Sequence, residues 1–159
     1  MKKIYTVLVE NRSGVLSKVA GLFARRGFNI DSLAVGETDD PGVSVMTIVS
    51  SGDERTLEQI EKQLNKKLDV IKIKTYHEEE SISRELMLLK VKYTKSNRKD
   101  IMETVDAMKA DIVDMSKNQM LIQICDRPDR TAMLIKLLNE ISITEIARTG
   151  TLALPKCDN

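Results

Sequence analysis

Two alternating periodicities, met in the same order twice within 159 residues, constrain this chain more than any other feature. Runs in which every second residue is apolar or β-branched argue for strands. Apolar residues recurring every three or four positions argue for helices. Residues 3 to 10 (KIYTVLVE) read as a strand. Residues 15 to 26 then place Val15, Val19, Leu22 and Phe23 on one helical face, opposite Ser17, Lys18 and Arg25. Ser13 is positioned to cap that helix and Gly27 to end it, while Arg25 and Arg26 suit the negative end of its dipole. Residues 28 to 36 and 42 to 50 form two further strands around ETDDPG, a hairpin signal. Ser51 and Glu54 have capping-box spacing ahead of a helix carrying Leu57, Ile60, Leu64 and Leu68. Residues 69 to 75 (DVIKIKT) close with a strand, and the order is βαββαβ.

The polar, acidic segment YHEEESISR, residues 76 to 84, reads as a linker centred on 77–83. After it the order repeats. RELMLLKVKY is a strand, and Ile101, Val105 and Met108 mark a helix. DIVDM and QMLIQIC are strands around the tight turn SKN, and Pro128 opens a helix carrying Met133, Leu134, Leu137 and Leu138. ISITEIA is the last strand, with RTGTLALPK trailing in extended form. The fold class expected is α+β, two tandem ferredoxin-like units at 1–76 and 84–159. Units of that size are marginal alone. Each also has a helix-free sheet face and open edges that need cover, which dimerisation would supply.

Composition narrows the function. Formal net charge is +1, so no bulk electrostatic pull toward nucleic acid or anionic membrane is expected. No apolar run approaches the roughly 18 residues that span a bilayer, and MKKIYTVLVE lacks the core and cleavage site of a signal peptide. Cys125 and Cys157 are far apart without metal-type spacing, which points to a reducing cytoplasm. The single histidine, His77, sits beside Glu78, Glu79 and Glu80 in the linker, where consecutive charges read as solvated rather than metal-binding. Neither cysteine has the local pattern of a nucleophile, and Ser13 has no histidine nearby in sequence, so no catalytic residue is expected. RGFNI (residues 26 to 30) faintly echoes an RNA-binding signature, but it falls on the wrong strand and the charge is balanced.

One stretch asks for more than packing: ENRSGVLSKVAGLFARRGFNIDS, residues 10 to 32. A helix N-terminus offers unpaired N–H groups and a positive dipole end, a ready site for a carboxylate. Gly14 removes the Cβ that would hold a ligand away, and Asn11 adds a donor and an acceptor. Val15 and Leu16 supply an apolar wall. Together they suit a small aliphatic amino acid. Asn29 and Ile30 lie past the other end of the helix, about 18 Å away. Within one chain Asn11 and Asn29 cannot share a ligand. Two such domains side by side, with antiparallel helices, would bring one chain's Asn11 to the other's Asn29 and create two equivalent sites.

NRSGVLSKVAGLFARRGFNIDSL, TDDPGVSVMTIVSSGD and LEQIEKQLNKKLDV closely resemble the ACT domain of the small, regulatory subunit of acetolactate synthase (acetohydroxyacid synthase). RELMLLKV and EIARTG are similar to the second half of that family. The resemblance implies a chain without an active site of its own. It would bind and activate a separate catalytic subunit and make it sensitive to feedback by valine. Thiamine diphosphate, Mg²⁺ and FAD would belong to that partner, which condenses two pyruvates to 2-acetolactate, or pyruvate with 2-oxobutyrate. The effector would lie between two ACT domains of a homodimer, at positions matching Asn11, Gly14 and Asn29. Val45 departs from the pattern, since the resemblance implies an arginine there. The residues alone leave open an amino-acid sensor with another client.

Overall fold

The computed structural model describes residues 1–139, 141 and 143–157. Its first unit runs from Met1 to Ser83 and takes in the tail from Thr151, and its second spans Arg84–Gly150. Among the described residues no helix is long and apolar enough to cross a membrane.

The first unit contains β1 (Lys2–Glu10), α1 (Val15–Arg26), β2 (Ser32–Glu37), β3 (Val43–Ser51), α2 (Glu54–Asn65) and β4 (Val70–Tyr76). Its strands lie in the order β2-β3-β1-β4, all pairs antiparallel. Period-2 alternation on β1 drives Tyr5, Val7 and Val9 into the core, where they meet Val15, Val19, Leu22 and Phe23 of α1 and Leu57, Ile60 and Leu64 of α2. The Tyr5 hydroxyl finds an acceptor there, donating to the Leu57 carbonyl at 2.8 Å. The two sheet edges differ. Strand β4 carries Lys72 and Lys74, charges that discourage a further strand, whereas β2 reads SLAVGE and has no lysine or proline.

The second unit has β5 (Ser81–Lys92), which begins within the first, then α3 (Arg98–Ala107), β6 (Asp111–Met115), β7 (Gln119–Asp126), α4 (Pro128–Leu138) and β8 (Ile143–Arg148). The order β6-β7-β5-β8 repeats that of the first sheet. Met87, Leu89 and Val91 pack with Met120, Ile122 and Ile124 beneath Ile101, Val105, Leu134 and Leu138. Both units therefore have the ferredoxin-like α+β plan expected from the alternating pattern.

Several local expectations are corrected. Strand β2 begins at Ser32, so Phe28, Asn29 and Ile30 precede it. Ser13 does not cap α1: the N-cap is Gly14 in the left-handed region (φ 86°), with no side-chain cap. Asp53, not Ser51, caps α2, its carboxylate accepting the Thr56 N–H at 2.7 Å, while the Ser51 hydroxyl donates to Asp31. α2 ends at Asn65, which leaves Leu68 outside the helix and 96% exposed. Met133 and Leu137 face out of α4, while Thr131, Leu134 and Leu138 face in.

The expected linker is ordered. His77 and Glu80 bracket a short 3₁₀ turn, with the Glu80 carboxylate accepting the His77 N–H at 2.9 Å, and Ser81 is buried at the start of β5. The second compact unit is shorter than 84–159 because the tail joins the first. Its strand β9 (Leu152–Pro155) pairs with β5, and Ala153 packs with Ile4, Val49 and Tyr76 on the helix-free face of the first sheet. The Thr151 N–H donates to Ser32 Oγ at 2.8 Å and the Lys156 N–H to the Glu80 carbonyl at 3.0 Å. The chain thus covers part of the sheet face for which a second copy was invoked.

Candidate functional site

The turn between β1 and α1 holds Asn11, Arg12, Ser13 and Gly14, all exposed. Gly14 takes a conformation that side-chain-bearing residues adopt only with strain, and a Cβ built there would meet nothing within 4 Å. The backbone is therefore open to whatever approaches the helix end. The Lys18 N–H donates to the Gly14 carbonyl at 3.0 Å, starting the helical ladder. Among the described residues no acceptor faces the N–H groups of Gly14, Leu16 and Ser17. Those orphan donors and the dipole make this end receptive to a carboxylate. Val15 is buried in the core, and Leu16 stays 45% exposed beside the turn.

Asn11 is anchored toward the hairpin. Its Nδ2 donates to Glu37 Oε1 at 3.1 Å and to the Pro41 carbonyl at 2.9 Å, and its backbone N–H donates to the Gly42 carbonyl at 2.8 Å. Glu37 is the last residue of β2. Asn29 stands just before the opposite end of that strand. Its Nδ2 donates to Asp31, and its carbonyl accepts the Ser50 hydroxyl at 2.6 Å. Ile30 next to it is half-buried against the first core. The structure thus gathers Asn11, Gly14, Val15 and Leu16 at one end of α1, and sets Asn29 and Ile30 past the other. Val45 pairs with Leu8 of β1 and Gly36 of β2 and is half-buried.

An ion cluster beneath the turn escaped the sequence reading. Asp69, between α2 and β4, is only 6% exposed. One carboxylate oxygen takes Arg12 Nε at 3.1 Å together with Arg12 Nη2, and the other takes Lys18 Nζ at 2.9 Å. Arg12 Nε also lies 3.0 Å from Glu10 Oε2. Hydrogen bonds from Arg12, then from Lys18, hold the Asp69 carboxyl below its ordinary range against the opposing effect of burial. The Asp69 carbonyl accepts the Glu10 N–H at 2.9 Å, so the residue is tied to β1 through its main chain and to the turn and α1 through its side chain. A sequence signal did exist. Arg12 and Lys18 flank the positive end of a helix dipole, where cations are disfavoured unless an acid compensates them.

Two family descriptions match the chain, one in each half. An acetohydroxyacid synthase small subunit-like ACT domain matches residues 6–72, and the description "small subunit of acetolactate synthase" matches residues 84–157. A probable acetolactate synthase small subunit of Archaeoglobus fulgidus is 44% identical over 154 residues, covering 97% of this chain and 96% of that one. The acetolactate synthase small subunit of Haemophilus influenzae is 43% identical over 157 residues, covering 98% and 96% respectively. In three dimensions, the crystal structure of the acetolactate synthase small subunit of Thermotoga maritima superposes with a TM-score of 0.92 at 37% identity. It covers 100% of this chain and 99% of that one. Matched in both halves and over nearly its whole length, the chain belongs to the acetolactate synthase small-subunit family.

Proposed function

We propose that this chain is a regulatory subunit that binds and activates an acetolactate synthase catalytic subunit and makes it sensitive to feedback inhibition by valine. The catalytic partner carries the chemistry, with thiamine diphosphate, Mg²⁺ and FAD, and this chain contributes the effector site. The complex works in the cytoplasm, at the opening of branched-chain amino-acid synthesis.

One observation carries the effector reading: Asn11 contacts Glu37 at the end of β2, and Asn29 lies just before Ser32 at its beginning. Six strand residues span about 20 Å, close to the length of α1. β2 is also the edge that lacks lysine. A homodimer that pairs β2 with β2 about a two-fold axis is antiparallel by symmetry, so the Glu37 end of one chain meets the Ser32 end of the other. Asn11 of each protomer then approaches Asn29 of its partner, giving two identical sites. The orphan N–H groups of α1 take the effector's carboxylate, asparagine carbonyls take its ammonium, and Leu16 and Ile30 line its side chain.

Valine inhibits by binding one arrangement of the dimer better than another, a coupling of typically about 1 to 3 kcal/mol. The test is thermal unfolding of the chain with each amino acid, followed by holoenzyme assay. The expected result is stabilisation by valine that vanishes in Asn11→Ala and Asn29→Ala. In the holoenzyme those variants should still activate the catalytic subunit but lose valine inhibition. Undiminished valine inhibition in both variants would refute the site.

A further inference from the structure

We infer that Asp69 is a positioning residue for the effector turn, a role that rests on the reading of Asn11 and Gly14 as effector contacts. The turn is held from two sides. Toward β3 and β2, Asn11 is tied to Glu37, Pro41 and Gly42. Toward β4, Arg12 is tied to Asp69, and Lys18 of α1 reaches the second oxygen of the same carboxylate. These ties matter because the local sequence is loose. Gly14 has no side chain to restrict it, and α1 starts without a side-chain cap.

Both ties leave the groups that face the effector free. The Asn11 tie runs through Nδ2 and the backbone N–H, which leaves the side-chain carbonyl free for the effector's ammonium. The Asp69 tie faces the opposite side and persists. An effector therefore meets a turn already held in place, and without Asp69 part of its binding energy goes into ordering the turn. Removing Asp69 weakens the complex by more than it disturbs the unliganded fold, and the deficit appears in affinity. Asp69 suits this role because both its oxygens are occupied and it is almost wholly buried, so solvent competes little for it.

The experiment measures the valine dissociation constant of the full chain by calorimetry, alongside the melting temperature without valine. Asp69→Asn and Arg12→Met are compared with the parent chain and with the double variant. Arg12 is more than half exposed, so its replacement leaves the fold intact even if Asp69→Asn does not fold. The expected result is a dissociation constant raised about tenfold in Asp69→Asn, which also frees Lys18, and by less in Arg12→Met, with the double variant no worse than Asp69→Asn because the Arg12 contact is already lost there. A purely structural role would lower the melting temperature and leave the dissociation constant unchanged, which overturns the inference. Additive losses in the double variant also overturn it. A parent chain that fails to bind valine overturns the effector reading itself, and the inference with it.

Discussion

Arg148 Nη2 lies 2.6 Å from a carboxylate oxygen of Glu85, a residue only 3% exposed. The Thr131 hydroxyl of α4 donates to the same oxygen, so one acid joins β5, β8 and α4 of the second unit. A buried charge left without its partner is costly. Arg148→Met should therefore lower stability by roughly 3 kcal/mol, at the low end for such pairs because the arginine is partly exposed. Adding Glu85→Leu should recover most of the loss, since the Thr131 hydroxyl can turn its single proton to the Pro128 carbonyl, 3.0 Å away. Urea denaturation of the two variants checks this, and a double variant less stable than the single one contradicts it.

A two-chain effector site, as proposed, makes a prediction that no single-chain site can imitate. In that arrangement Asn11→Ala and Asn29→Ala should each disable both sites of their own homodimer. A mixed dimer of the two variants pairs the intact Asn29 of one chain with the intact Asn11 of the other. Co-refolding the inactive variants should then restore valine binding at one site per mixed dimer, measurable by calorimetry. No recovery on mixing would refute a site shared between the two chains.

Gly14 and Gly27 bound α1, at φ 86° and 66°, and a Cβ at either meets nothing within 4 Å. Backbone strain is thus the main cost of alanine at either place, about 1 kcal/mol. Gly14→Ala and Gly27→Ala should lose similar stability in urea. Valine binding should fall further in Gly14→Ala, whose new methyl group stands at the proposed effector turn. Equal effects on valine binding would remove Gly14 from the site.

Asp53 caps α2 and its carboxyl lies below the ordinary range, chiefly through the hydrogen bond from the Thr56 N–H. A carboxyl depressed by folding contributes stability above its unfolded value, about 4, and that contribution is lost as pH falls through the lower folded value. Asparagine caps nearly as well without titrating. Asp53→Asn should match the parent near neutral pH and lose less stability on acidification below about pH 4. Denaturation midpoints across that range provide the check, with parallel curves counting against the cap.

The periodic elements were legible because each depends on neighbours three or four residues away at most. Tyr5, Val7 and Val9 alternate, Val15, Val19 and Leu22 recur, and both patterns reached the core where expected. Errors fell where local pattern and tertiary context diverge. Leu68 continues the apolar spacing of α2, but the helix ends at Asn65 and the leucine stays in solvent. Ser51 and Glu54 have capping spacing, yet Asp53 reaches the free N–H group and Ser51 serves Asp31 instead.

By itself the sequence determined the order of elements, their repetition, and a glycine-bounded helix whose polar turn marks the candidate site. Tertiary structure alone decided which acid compensates Arg12, which edge of the first sheet is unguarded, and where the tail beyond Gly150 belongs. The physical reason is separation along the chain. Arg12 and Asp69 are 57 residues apart, and Ser32 and Thr151 are 119 apart. Local periodicity carries no record of partners at that distance, which meet only when β1 pairs with β4 and the tail returns to the first sheet.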